Sequence, residues 1–385
     1  MDHKPLKIVY CTPAIYSAGG VERVVTMKAS YFAEEYGYDV TIIVTEGKGR
    51  DSFFPLSYKV KVVNFEINFE ELWTCSFLKR IFVYLKKQYL FKKRLTQELL
   101  QIRPDITIST LRREINFINN IKDGSKKIGE LHVNRANYRN FERKDSNVVK
   151  NIFAKYWSHN LVKHLKQLDR LVVLTEKDRE AWTELECVDV IPDPLPFIPA
   201  SVSPMTEKRV ISVTRYSHEK GVDLLLQAWA EVEKKIPEWR LDVYGNGDTA
   251  PYEKMIDELH IDRNRCRLNG RTNEVEREYC NSSLSVLSSR FEGFGMVIVE
   301  AMACGIPVVA FDCPWGPRSI IKDGEDGLLA ENGNPSALAQ KLIDVMNSSD
   351  KRSLMAIAAR RNAQRFDINR IALEWKHLFE IVKKN

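Results

Sequence analysis

Apolar runs of four to six residues recur along the chain, each followed by a polar or glycine-bearing loop and then by a helical pattern. Lys7-Ile8-Val9-Tyr10-Cys11 leads through Gly19-Gly20 into Val21-Glu22-Arg23-Val24-Val25. Arg209-Val210-Ile211-Ser212-Val213 leads through Thr214 to Gly221 into a helical stretch from Val222 to Val232. Further buried-strand patterns fall at Val40 to Thr45, Ile106 to Ser109, Leu171 to Leu174, Leu241 to Tyr244, Leu284 to Leu287 and Val308 to Ala310. Strand, loop and helix in alternation are the unit of a parallel α/β sheet. Four prolines between Pro192 and Pro199 exclude helix and central strand there and mark a boundary. These patterns predict two doubly wound domains, residues 1–192 and 193–370, with a last helix over 371–385 crossing back to the first.

Length agrees with that division, because 385 residues exceed one ordinary hydrophobic core. Apolar residues at 44% and charged residues at 29% describe an ordinary globular chain without long disorder. A net charge of +6 suits anionic small molecules or membrane surfaces and does not call for nucleic acid. The seven cysteines, Cys75 among them, are scattered and form no Cys-x-x-Cys. They predict a reducing compartment rather than a disulfide framework or a zinc site. No signal-like or membrane-spanning apolar stretch is present, so the expected location is the cytoplasm.

The stretch richest in chemistry runs from Ser288 to Ala310 and reads as strand end, glycine loop, helix and strand. Gly293 and Gly295 let backbone approach a ligand, and the helix from Met296 offers amides and partial positive charge to a phosphate. Glu292 lies before that helix and Glu300 within it, at the edge of the sheet where α/β proteins bind ligands. A tight turn followed by a surface helix would explain the glycines alone. It would not explain the two carboxylates beside a helix start and a Gly305-Ile306-Pro307 stop.

This segment resembles the signature of glycosyltransferase family 4, in which a Glu followed by Gly-Phe-Gly precedes a second Glu. Gly19-Gly20-Val21-Glu22-Arg23, Arg215 through Lys220-Gly221, Gly270-Arg271 and Gly324 to Leu329 resemble further marks of the family. Ile191-Pro192-Asp193-Pro194 resembles its interdomain Ile-Pro-Asn-Pro, with Asp for Asn. Three other positions depart from the pattern: Thr214 for Gly, Ser289 for Pro and Ser319 for Glu. The resemblance implies the GT-B fold, two Rossmann-like doubly wound domains facing a cleft. It also implies retaining, hexosyltransferase-type transfer from a nucleotide diphosphate sugar, UDP before GDP. The acceptor would be a glycan or lipid-linked saccharide in bacterial surface polysaccharide biosynthesis.

By the same resemblance the donor is held by Gly19, Gly20, Arg215, Lys220, Gly270, Arg271, Glu292, Gly293, Phe294, Gly295 and Glu300. Arg215 and Lys220 would lie on the diphosphate, Glu300 on the ribose and Glu292 on the sugar. His132 and Glu292 are the candidate catalytic residues. For His132 a satisfied structural histidine is the competing reading. The chain has no Asp-x-Asp triplet and no His/Cys cluster, so neither metal nor cofactor is expected, and the nucleotide sugar is a co-substrate. A non-hydrolysing sugar-nucleotide epimerase, a phosphorylase, or a non-catalytic nucleotide-sugar or membrane-binding protein on the same fold are the alternatives.

Between Ser76 and Leu100 the pairs Lys79-Arg80, Lys86-Lys87 and Lys93-Arg94 recur at heptad spacing, with Leu78, Ile81, Phe82, Leu85, Tyr89 and Leu99 mostly on the other side. A basic amphipathic helix suits peripheral attachment to the inner face of the cell membrane. Packing of its apolar side into the first domain is the alternative.

Overall fold

The computed structural model describes residues 4–74, 76–140 and 159–384. Cys75 and the side chain of Leu78 lie outside the described residues. The chain forms two compact units, Met1–Pro196 with Ile368–Asn385, and Phe197–Asp367.

The first unit is built on seven parallel strands: β1 (Lys7–Thr12), β2 (Asp39–Val44), β3 (Lys61–Asn64), β4 (Ile106–Ser109), β5 (Lys126–Glu130), β6 (Arg170–Val173) and β7 (Val188–Val190). Their order is β3-β2-β1-β4-β5-β6-β7. Alternate residues of β1 enter opposite cores. Val9 and Cys11 pack with Phe91, Leu95 and Leu99 of helix α2 (Phe77–Ile102), whereas Ile8 and Tyr10 pack with Val25, Ala29 and Phe32 of helix α1 (Gly20–Glu35). A sheet covered on both faces needs continuous apolar strands, which explains the unbroken runs in β1, β2 and β4.

The second unit repeats the plan with six parallel strands: β8 (Arg209–Val213), β9 (Arg240–Tyr244), β10 (Cys266–Asn269), β11 (Leu284–Leu287), β12 (Val308–Phe311) and β13 (Gly327–Ala330), ordered β10-β9-β8-β11-β12-β13. Helix α3 (Val222–Lys235) buries Val222, Leu225, Leu226, Trp229 and Val232 against the sheet, and helix α4 (Met296–Ala303) follows β11. The order in which strands are added reverses once in each sheet, at β1/β4 and at β8/β11. Ligands of open α/β sheets bind beyond the strand ends at such a switch point.

The last helix, α5 (Ile368–Lys384), belongs to the first unit. Ile371, Trp375, Leu378, Phe379 and Val382 join the core around Ile8 and Tyr10. Apolar positions three and four apart fit them to one buried stripe.

Candidate active site

The loops leaving β8 and β11 meet at the switch point of the second unit. Gly221, at φ +62°, closes the first loop so near the second that an added Cβ would fall 2.1 Å from the carbonyl oxygen of Ser288. Only glycine fits both that backbone and that approach. The hydroxyl of Ser288 donates to the carbonyl of Lys220 at 3.0 Å, and the amide of Arg290 donates to the carbonyl of Glu219 at 2.9 Å. Arg290 also grips Asp223 of α3 with two nitrogens, at 2.9 and 2.6 Å. This frame delivers the Lys220 ammonium to Glu292 Oε1 at 2.5 Å. Ser289, where the related pattern has proline, donates its hydroxyl to the same oxygen at 2.7 Å.

Gly295, at φ +103°, turns the chain from Glu292-Gly293-Phe294 into α4, and no side chain caps that helix start. An uncapped start leaves backbone N–H groups for an anion. Phe294 is buried and meets Phe366 edge-on, with ring centroids 5.4 Å apart. Glu300 lies inside α4, buried, with the Tyr279 hydroxyl 3.5 Å from Oε2. Arg215 is mostly exposed and bonds Glu219 at 3.1 Å, so it lies on the same loop as Lys220 without joining the Glu292 pair. Gly270 and Arg271 are exposed and follow β10, an edge strand two places from β8.

Sequence reasoning missed Trp315. It holds φ 77°, ψ −66°, a strained γ-turn for a bulky residue, and pairs through its backbone with Glu292. Beside it, a Cβ on Gly316 would fall 2.8 Å from Cβ of Glu292, so this turn is built against the Glu292 loop. The only signal was a Pro-Trp-Gly triplet between strand and helix. Ser319 donates to the Gly316 carbonyl at 2.5 Å. Cys313, next to Glu292 and Lys220, has its thiol pushed up to about 12, by burial first and then by the Glu292 charge. It stays protonated at neutral pH and is no nucleophile.

Gly19, Gly20 and His132 belong to the first unit. Gly19 precedes α1 at the β1 end of that sheet's switch point, and Glu22 accepts the Ser17 hydroxyl at 2.6 Å. His132 follows β5. Its Nε2 lies 3.3 Å from Glu130 and its Nδ1 3.3 Å from Asp193, with the side chain 5% exposed. These are ion-pair separations, and neither contact is aligned as a hydrogen bond. Lys28 of α1 is paired to the same Glu130 oxygen, Oε1. Glu130, His132 and Asp193 place three ligand-type atoms within 4.8 Å of one another. The Lys28 ammonium already supplies a cation to that group, so it reads as an internal ion network. A cavity of about 580 Å³ in the same unit is lined by Tyr16, Glu46, Arg50, Phe53, Phe54 and Asn64 among others.

Residues 197–362, nearly the whole second unit, match the family model for Glycosyl transferases group 1. An uncharacterized glycosyltransferase of Haemophilus influenzae is 27% identical over 96% of this chain and 99% of its own length. The chain is a glycosyltransferase. The poly(ribitol-phosphate) alpha-N-acetylglucosaminyltransferase of Staphylococcus aureus is 30% identical to it over 66% of the chain, which spans 51% of that relative. Among solved structures, TarM aligns with the transferase over 98% of this chain and all of its own at TM-score 0.79 and 18% identity. Anabaena HepE, solved with UDP and glucose, aligns over 97% of this chain and 99% of its own at TM-score 0.71 and 17% identity. At such identities the likeness concerns the fold, which is GT-B. Among the described residues, no helix of the transferase is long and apolar enough to cross a membrane.

Proposed function

We propose that the transferase moves a hexosyl group, with retention at the anomeric carbon and without a metal, from a UDP-sugar to a glycan or lipid-linked saccharide of the bacterial surface. The observation that carries this reading is the convergence of Lys220, Glu292 and the start of α4 at the β8/β11 switch point. When the bond from the anomeric carbon to the diphosphate oxygen breaks, its electron pair leaves with the diphosphate. Lys220, Arg215 and the α4 amides are the groups to stabilise that charge. Glu292 is assigned to the sugar hydroxyls, Glu300 to the ribose, and the amides of Phe294 and Gly295 to phosphate or sugar. Gly19, Gly20, Gly270, Arg271 and Gly293 complete the assigned donor contacts. UDP is favoured because HepE was solved with UDP and glucose. A glycan acceptor is favoured because one relative is named a poly(ribitol-phosphate) transferase. The aromatic and polar lining of the first unit's cavity suits a saccharide.

A panel of nucleotide sugars, read by thermal shift and by nucleotide diphosphate release with and without acceptor, tests this. The proposal expects stabilisation by one nucleotide sugar and acceptor-dependent release. An epimerase would interconvert sugars without any acceptor, and a phosphorylase would need phosphate.

A second reading concerns the membrane. Helix α2 turns Phe91, Leu95 and Leu99 into the core yet leaves Ile81, Phe82, Leu85 and Tyr89 in solvent, Phe82 72% and Tyr89 71% exposed. Phe82, Leu85, Tyr89 and Lys93 share one helical stripe, with Lys79 and Lys86 along its side. An apolar ridge edged by lysines suits an anionic bilayer surface. The three basic pairs do not form one free face, however. Lys87 turns inward to the carbonyl of Asn68 and to Glu71, at 2.7 and 2.8 Å, and Arg94 turns to the carbonyl of Phe65. Those two cations hold the segment after β3, and Lys79, Lys86 and Lys93 are the exposed cations beside the ridge.

A further inference from the structure

Four ionisable side chains are enclosed together in the first unit, each from a different part of the chain. Lys28 comes from α1, Glu130 from the end of β5, His132 from the loop after it, and Asp193 from the proline-bracketed segment where the chain leaves the unit. Their side chains are 1%, 2%, 5% and 7% exposed. Trp375 of α5 lays its ring 4.0 Å from the Lys28 ammonium, and Tyr10 of β1 places its ring 5.7 Å away. Tyr10 is itself held neutral, because burial and the Glu130 charge raise its phenol well above its usual range.

The charge count of this enclosure depends on His132. With a neutral imidazole, one ammonium faces two carboxylates and the cluster carries an unbalanced negative charge away from water. With an imidazolium the sum is zero. A buried unbalanced charge is costly, and a group able to change state does so to remove it. The residue that creates the imbalance is Asp193. Asparagine, which the related pattern has there, would leave the Lys28–Glu130 pair balanced beside a neutral histidine.

We propose that His132 is held as an imidazolium between Glu130 and Asp193, as a positioning residue that ties the chain's exit at Pro192–Pro194 to the end of β5. Lys28 is the fixed counter-cation of Glu130, and Trp375 covers it. His132 is then neither proton acceptor nor metal ligand in the reaction. Its shift agrees in direction: burial opposes the charged ring, and the Asp193 and Glu130 charges outweigh burial and raise it.

The test uses the full chain with ¹⁵N-labelled histidine and long-range ¹H–¹⁵N spectra, which distinguish an imidazolium from either neutral tautomer. His132→Gln assigns the signal. At pH 7, where an ordinary histidine with a pKa of about 6.5 is mostly neutral, His132 is expected mostly charged. Asp193→Asn is expected to turn it neutral, and Glu130→Gln serves should Asp193→Asn fail to fold. A neutral His132 in the wild type at pH 7 overturns the proposal. So does an unchanged protonation state in a folded Asp193→Asn or Glu130→Gln protein. These spectra need no turnover, so they stand apart from the glycosyl-transfer reading. Under that reading, the alkaline limb of the transfer pH profile moves to lower pH in Asp193→Asn, and a limb that stays in place counts against the positioning role.

Discussion

Lys220 and Glu292 are ion-paired at 2.5 Å across two loops of the second unit, although 71 residues of chain lie between them. In the proposed reaction each has other work: Lys220 toward phosphate and Glu292 toward the sugar. Donor binding must therefore loosen a contact that the free protein already makes. Replacing Glu292 by Gln weakens that contact and removes an acceptor of sugar hydroxyls. Transfer is expected to fall roughly 10- to 100-fold, the loss of one charged hydrogen bond. Affinity for free UDP, which has no sugar to engage Glu292, is expected to hold or rise as Lys220 is released. Calorimetry showing UDP binding lost in parallel with turnover would contradict the split.

Lys220 and Arg215 share a loop but not an environment. The Lys220 side chain is 20% exposed and held in place, whereas Arg215 is 68% exposed on a surface pair with Glu219. Surface pairs of that kind contribute little and leave the side chain free to move. Replacing Lys220 by Ala should thus weaken UDP binding more than replacing Arg215 by Ala, since a placed cation loses less freedom on binding. Titration calorimetry on both variants checks the order, and equal, unchanged affinities would remove both residues from the diphosphate.

The parts of this arrangement that the sequence made legible are those where an apolar run meets a glycine loop. β1, β8 and β11 are buried along nearly their whole length, so continuous hydrophobicity announced them. The edge strands were not announced. β3 and β7 are half in solvent and only three or four residues long, with no pattern a window can read. β5 was missed for another reason. Its sequence Lys-Lys-Ile-Gly-Glu looks polar, yet four of its five residues are buried, because Lys127 pairs with Asp123 at 2.6 Å and Glu130 with Lys28. Pairings between distant residues also escape a linear reading. Ser289 looked like a mere departure from a pattern, and its hydroxyl turned out to serve Glu292.

Activity is expected to survive EDTA. In the proposed reaction Lys220, Arg215 and the uncapped start of α4 are the groups assigned to the diphosphate charge, so no step is assigned to a dication. Abolition by chelator with recovery on adding Mn²⁺ or Mg²⁺ would refute this.

The ion network around His132 also predicts a pH dependence of stability. A group whose pKa is raised by folding stabilises fully below its unfolded value and loses that contribution as pH rises through the folded value. For His132 the raised direction places the loss above the ordinary histidine range near about 6.5. The wild type should lose stability across that window, and His132→Gln should be less stable at pH 6 and show a flatter profile above it. Chemical denaturation at a series of pH values decides it. Parallel curves for the two proteins would show that His132 does not titrate differently on folding.

Helix α2 yields the most selective test of the membrane reading, because its cations divide by direction. Lys79, Lys86 and Lys93 are exposed beside the apolar ridge, while Lys87 and the partly exposed Arg94 bind carbonyls of the segment from Phe65 to Asn68. A cation beside an anionic bilayer contributes about 1 kcal/mol. Reversing Lys79, Lys86 and Lys93 to Glu should therefore release the transferase from phosphatidylserine-containing vesicles while leaving its melting temperature nearly unchanged. Reversing Lys87 and Arg94 should do the opposite in kind. It places carboxylates against carbonyl oxygens and beside Glu71, so stability falls first. A third variant separates apolar insertion from charge. Replacing Phe82, Leu85 and Tyr89 by Ser removes the exposed ridge without touching a lysine, and should weaken binding even at low salt. If wild-type protein ignores the vesicles at moderate salt, or if the threefold reversal leaves sedimentation with them intact, the exposed face of α2 has some other use than a membrane.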